Sequence, residues 1–160
     1  KRYIDVIVRK TATLFEAGTR LAGVISQADD ATEQALARFG MDLGIAFQIV
    51  DDALDYTGKD IGKNVGDDLE EGKPTLPLIR AIQTAAPEQA SLVRDAIEQG
   101  GRDRIDEIMQ IIRETDAIDY SMNLARQYAE AASRQLETMP ASSYRDALAE
   151  LAHFSVNRDY

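Results

Sequence analysis

Cysteine is absent from this sequence, and histidine occurs once, at His153. Without thiols there is no disulfide and no thiolate metal site, and one imidazole per chain cannot build a histidine-rich metal cluster. Any metal must therefore be bound through oxygen. Positive charge is also scarce: 18 Lys and Arg stand against 28 Asp and Glu, a formal net charge of −10. A surface this acidic argues against a nucleic-acid backbone or an anionic membrane as main partner, so basic groups must act locally. No apolar run approaches the roughly 18 residues needed for a transmembrane segment, and the N-terminus lacks the charged-then-apolar order of a secretory signal. These absences describe a soluble, cytoplasmic protein.

What is present is an all-α pattern. The 160 residues, 44% of them apolar, suffice for one sizeable core, which favours a single domain over residues 1–160. Ile4, Val8, Leu14, Leu21, Val24 and Ile25 recur at helical spacing and predict one apolar face of a long first helix. Gly18 and Gly23 interrupt it, either as points of close helix contact or as a break. The stretch SQADDATEQ reads as a turn, with Asp30 as N-cap and Glu33 completing a capping-box-like pattern ahead of a helix over about 31–56. Between Gly58 and Lys73, four glycines and eight charged residues replace the hydrophobic rhythm. That predicts a loop longer than the roughly 12–15 residues beyond which a structureless connection is usually functional or disordered, and fast amide exchange within it. Helices resume at Pro74 and are predicted over about 75–85, 88–99, 102–114, 116–138 and 142–156. No strand alternation, fixed repeat or interdomain linker occurs, so the expected architecture is a compact helical bundle. The chain opens at Lys1 directly into a helical pattern without initiator Met or cap, which points to a fragment.

The segment FQIVDDALDY, residues 47–56, places three aspartates in an otherwise apolar run. On a helix, Gln48, Asp51, Asp52 and Asp55 lie along one stripe, surrounded by Ile45, Phe47, Ile49, Val50, Ala53 and Leu54. A helix apolar on most of its circumference is buried on most sides, so the stripe should face a cavity. Like charges four residues apart repel by a few tenths of a kcal/mol on an exposed helix, and by more in a low-dielectric cleft. A hard divalent cation would relieve that repulsion, and a few carboxylates that leave room for water and substrate phosphates make a magnesium arrangement. A solvated acidic face is the plain alternative.

The loop GKNVGDDLEEGKPT adds two cations. Lys63 and Lys73 are the only basic residues between Asp60 and Arg80, and each follows a glycine. Glycine lets backbone approach a ligand, and an ammonium is a point charge for phosphate. The pattern is neither a Walker A loop, since Asn64 and Pro74 stand where Ser or Thr is required and no strand precedes it, nor an EF-hand. Two solvated surface lysines remain the plain reading of this feature alone. Lys10 and Thr11 interrupt the apolar pattern of the first helix, and in isolation they read as a snorkelling lysine beside a tolerated threonine.

Taken together, RKTATLFEAG, GIAFQIVDDALDY and GKNVGDDLEEGKPTLPLI resemble the C-terminal half of the trans-prenyltransferases, the head-to-tail isoprenyl diphosphate synthases of the polyprenyl synthetase family. The three motifs cover about residues 1–80 in order, and the rest fits the family's tail in general character. The wording is most similar to the long-chain, octaprenyl- or decaprenyl-type members. The resemblance implies an all-α isoprenoid synthase fold and a magnesium-dependent transferase. In that chemistry an allylic diphosphate ionises, the double bond of isopentenyl diphosphate attacks the carbocation, and proton loss leaves a polyprenyl chain five carbons longer. Metal ions and lysines offset the charge that grows on the leaving diphosphate. It further implies that Asp51 ligates magnesium with Asp52 and Asp55, and that Lys10 and Lys63 hold the allylic diphosphate, with Lys73 in a less direct part. Thr11 and Gln48 would point oxygen dipoles at the carbocation, and a homodimer is implied. Asp67, Asp68, Glu70, Glu71 and His153 receive no chemical part.

The departures from the family pattern matter equally. The family carries a first aspartate-rich motif ahead of the lysine motif, and no second DDxxD occurs here; DDATE at 29–33 ends in Glu and follows the lysine motif. The chain thus resembles half of an enzyme with half of its metal site, expected to be inactive alone. A terpenoid cyclase is the enzymatic alternative, but DDALDYTGK lacks that class's second metal motif. A noncatalytic helical subunit that partners a prenyl synthase is the alternative of a different class, and an unrelated helical interaction module is a third.

Overall fold

The computed structural model describes residues 2–57 and 66–157. Among these residues every regular element is helical: α1 Arg2–Ile7, a π-helical turn Val8–Ala12, α2 Thr13–Ile25, α3 Asp30–Leu54, α4 Asp67–Glu70, α5 Leu76–Thr84, α6 Pro87–Gln99, a 3-10 turn Arg102–Arg104, α7 Ile105–Glu114, α8 Ala117–Leu136 and α9 Ser143–Asn157. No helix among them is long and apolar enough to cross a membrane. The predicted all-α class and helix order hold.

The chain divides into two compact units, one made of residues up to Gln48 with those from Leu124 onward, the other of Ile49–Asn123. In the first unit, α1 runs through the π turn into α2, and the π turn and α2 pack against α3. Close approach decides this contact. A Cβ built on Gly44 would lie 2.7 Å from Ala12 Cα, one on Gly40 would lie 2.5 Å from the Phe15 carbonyl oxygen, and one on Gly23 would sit 3.2 Å from Glu33 Cα. Only residues without a side chain permit such backbone proximity at Gly40 and Gly44. Phe15 and Phe47 pack beside this seam, their rings tilted by 39° with centroids 5.5 Å apart. Phe39, Leu43, Ala132, Leu136 and Ala152 form the apolar core of the unit.

This packing overturns the predicted face of the first helix. Leu14, Leu21, Val24 and Ile25 are exposed, Leu14 at 77%, whereas Ile7, Ala12 and Gly23 are buried. The side turned to α3 is the one that carries Ala12, Phe15, Thr19 and Gly23, because α3 presents glycines to it, and an apolar count is blind to that. Gly18 neither touches a neighbour within 4 Å nor breaks α2. At the start of α3 the cap is Asp29 rather than Asp30. Its Oδ1 accepts the Thr32 N–H at 2.8 Å, and its carbonyl accepts the Glu33 N–H.

In the second unit, Leu69, Leu78, Val93, Ile108, Ile111, Ile112 and Tyr56 close a separate core. The predicted 58–73 loop is only partly irregular, since residues 67–70 form α4 with Leu69 fully buried. Residues 58–65, and with them Lys63 and half of the predicted fast-exchanging loop, lie outside the described residues. Pro74 does not open the next helix: α5 begins at Leu76, with Thr75 as N-cap and a proline in its first turn.

Candidate functional site

Local geometry at the lysine–threonine pair departs from a plain helix. Lys10 and Thr11 both lie in the π turn, where the Thr13 N–H reaches back to the Val8 carbonyl and the Thr13 hydroxyl donates to the same oxygen at 2.9 Å. Single π turns inside α-helices occur often at functional sites, because the wider turn re-aims the side chains it carries. Here Thr11 is half-buried, and its hydroxyl donates to Gln48 Oε1 at 2.7 Å, across 37 residues of sequence. Gln48 is 9% exposed and Lys10 is exposed. The seam at Gly40 and Gly44 sets the register that brings Thr11 to Gln48, since Ala12 meets Gly44 one turn earlier on α3.

The aspartates belong to the second unit. Asp51 and Asp52 occupy the last turn of α3, Asp51 half-buried and Asp52 only 5% exposed. Asp55 lies just past the helix end, which comes at Leu54 rather than 56. Its Oδ2 accepts the Asp68 N–H at 3.1 Å, and its carbonyl accepts the Gly66 N–H at 3.1 Å. Lys73 reaches Asp68 Oδ1 at 3.0 Å and also pairs with Glu71. Those carboxylates, Glu71 first, hold its ammonium pKa above the usual lysine range. Asp68 and Glu71, given no chemical part above, are therefore the partners of Lys73.

Tyr56 completes this group. It is 2% exposed, and the Thr75 hydroxyl lies 3.4 Å from its phenol oxygen. Burial pushes the Tyr56 phenol well up from its ordinary pKa, and Asp55, Asp68 and Asp52 add to that against the Thr75 hydroxyl. In the sequence, its position directly after the last aspartate and the Thr in GKPT were the available signals. Neither says that the two side chains meet.

Among the described residues, no three Asp, Glu, His or Cys side chains converge closely enough to hold a metal by themselves. The donor set at the end of α3, adjacent carboxylates on one turn, fits an ion that takes one or two protein oxygens and fills its remaining positions with water and phosphate. That is how magnesium is usually bound.

Similarity to known proteins fits these motifs. Residues 1–115 match the polyprenyl synthetase family. The chain is 48% identical to octaprenyl diphosphate synthase of Haemophilus influenzae, over 99% of this chain and 49% of that protein. It superposes on a solved decaprenyl diphosphate synthase from Rhodobacter capsulatus with TM-score 0.90 and 37% identity, covering 99% of this chain and 50% of the other. A polyprenyl synthase from Caulobacter crescentus, solved with calcium and isoprenyl diphosphate, gives TM-score 0.91 at 40% identity, with 99% and 49% covered. The chain spans about half the length of the relatives it matches. The fold is the all-α isoprenoid synthase type of those structures, and the chain belongs to the polyprenyl synthetase family.

Proposed function

We propose that this chain provides the diphosphate-ionising half of a magnesium-dependent polyprenyl diphosphate synthase, which condenses an allylic diphosphate with isopentenyl diphosphate. The observation that carries this reading is the 2.7 Å bond between Thr11 and Gln48, which joins the lysine–threonine motif to α3, the helix whose last turn carries Asp51 and Asp52. A solvated acidic face would have no reason to pair a buried glutamine with a threonine in a π turn.

In this reading Asp51, with Asp52, holds magnesium, which supplies Lewis-acid neutralisation of the leaving diphosphate when bound. Lys10 and Lys63 hold the diphosphate oxygens and offset their growing charge as the allylic C–O bond breaks. The Thr11 hydroxyl and the Gln48 amide form one oriented pair of dipoles beside the forming cation. Bonded to each other, they need no reorganisation as charge develops. The isopentenyl double bond then attacks, a carbon–carbon bond forms, and a proton leaves.

The first aspartate-rich motif of the family is not among these 160 residues, so full turnover requires a protein that supplies it, and none is expected from this chain alone. Association as a homodimer belongs to the same proposal, with the exposed Leu14, Leu21, Val24 and Ile25 as apolar surface available for further protein contacts. Lengths in the long-chain range are proposed for the product, in keeping with the octaprenyl and decaprenyl relatives.

Calorimetric titration of magnesium with and without an allylic diphosphate analogue tests this reading. Binding should need both components and should weaken at least about tenfold in Asp51→Asn and Lys63→Ala, the loss of one charge-assisted contact in each. Equal binding in all three proteins would refute the assignment.

A further inference from the structure

The third aspartate of the DDxxD run and the second lysine of the loop are joined through Asp68. Its N–H goes to Asp55 Oδ2 at 3.1 Å, its Oδ1 meets Lys73 Nζ at 3.0 Å, and its carbonyl accepts the Lys73 N–H at 2.9 Å. The same short segment is pinned from other sides. The Gly66 N–H donates to the Asp55 carbonyl, and Gly66 takes φ +83°, where a Cβ would collide with Ile105. Leu69 is fully buried in one core with Tyr56, and Thr75 lies against the Tyr56 phenol. Residues 66–75 are thus clamped onto the end of α3 by both backbone and side chains.

From this we infer that Asp55 and Lys73 are positioning residues, which act through Asp68 to fix where the chain returns to the end of α3, rather than a magnesium ligand and a diphosphate ligand. An oxygen that accepts a backbone N–H is held in orientation by that bond. An ammonium shared between Asp68 and Glu71 already has its counter-charge. The Asp55 bond is the stronger element, since a carboxylate acceptor outranks a neutral one. The Lys73 pair is 41% exposed on the lysine side and contributes less. The inference stands on bonds inside the second unit and does not depend on the proposed reaction.

The test uses Asp55→Ala, Asp55→Asn and Lys73→Met in the whole chain, with amide exchange at Asp68 and calorimetry against magnesium with inorganic pyrophosphate. Asparagine keeps an oxygen that accepts the Asp68 N–H but carries no charge for a metal. Exchange at Asp68 should rise about tenfold or more in Asp55→Ala, the loss of one hydrogen bond to a charged group, and only a few-fold in Asp55→Asn. Asp55→Asn and Lys73→Met should bind magnesium pyrophosphate as the parent does. Unchanged exchange in Asp55→Ala would overturn the clamp whether or not the chain binds metal. Loss of binding in Asp55→Asn as large as in Asp51→Asn would return Asp55 to the metal. Failure of Asp51→Asn to affect binding, with the exchange results as expected, would count against the proposed reaction and leave the clamp standing.

Discussion

Gly44→Ala and Gly18→Ala are the same chemical change in helix interiors, yet the packing predicts opposite signs. Alanine is favoured over glycine inside a helix by about 1 kcal/mol, so both variants start with that gain. At Gly18 a new Cβ meets nothing within 4 Å, and the gain survives. At Gly44 the Cβ would lie 2.7 Å from Ala12 Cα and 3.1 Å from both Ala12 Cβ and Phe15 Cβ. Carbon atoms pack at roughly 3.5–4.0 Å, so α2 must move off α3 by close to an ångström. The nearest obstacle is backbone, which cannot rotate aside as a side chain would. Overpacking of this kind costs about 1–3 kcal/mol, which leaves Gly44→Ala destabilised by up to about 2 kcal/mol after the helix gain. For a chain of this size each kcal/mol shifts Tm by about 2–4 °C. Urea unfolding followed by circular dichroism should show the midpoint falling in Gly44→Ala and rising in Gly18→Ala, with the slope m unchanged in both. The separation should also stretch the 2.7 Å Thr11–Gln48 bond past the hydrogen-bonding range. If Gly44→Ala is stabilised to the same degree as Gly18→Ala, the two helices do not touch at that glycine, and the explanation of how Thr11 reaches Gln48 fails with it.

Three further predictions concern pH. Burial raises the Tyr56 pKa in the folded state, so its contribution to stability is complete below about pH 10 and lost as pH rises beyond. Unfolding midpoints of the parent should therefore fall more steeply in alkali than those of Tyr56→Phe, and parallel curves would refute this. Asp42 is raised above 3.8 by desolvation, partly opposed by Arg134. The protonated form is thus favoured by folding, and ionised Asp42 destabilises the fold at neutral pH. Asp42→Asn should raise Tm at pH 7, and a lower Tm would show that the carboxylate has a net favourable partner. Asp29 is shifted the other way, lowered chiefly by the Thr32 backbone N–H. Its stabilisation is present above its unfolded pKa and lost as pH falls through the folded one, so Asp29→Ala should lower Tm at neutral pH by an amount that shrinks in acid. Asp30→Ala, at the cap expected from sequence, should matter less; the reverse order would restore Asp30 as the cap.

What the sequence by itself determined is local. Helical periodicity located α5 to α9 to within a few residues, because each has an apolar stripe wide enough to show in a linear pattern. The adjacent Asp51 and Asp52 near a helix end, and the pairing of Lys10 with Thr11 on another, follow from spacing alone, and with the loop motif they were enough to indicate the family. Tertiary structure decided what those residues face. The side of α2 that meets α3 is set by close approach, because Gly40 and Gly44 let the backbone at Ala12 and Phe15 come near. The Thr11–Gln48 bond depends on that contact. The link from Asp55 through Asp68 to Lys73 exists only once Leu69 is seated in a core beside Tyr56. A residue type at a spacing limits the chemistry a side chain can do. Whether a carboxylate is used on a metal or on a backbone N–H depends on which group the fold brings within 3 Å of it, and that distance is not written in the order of the residues.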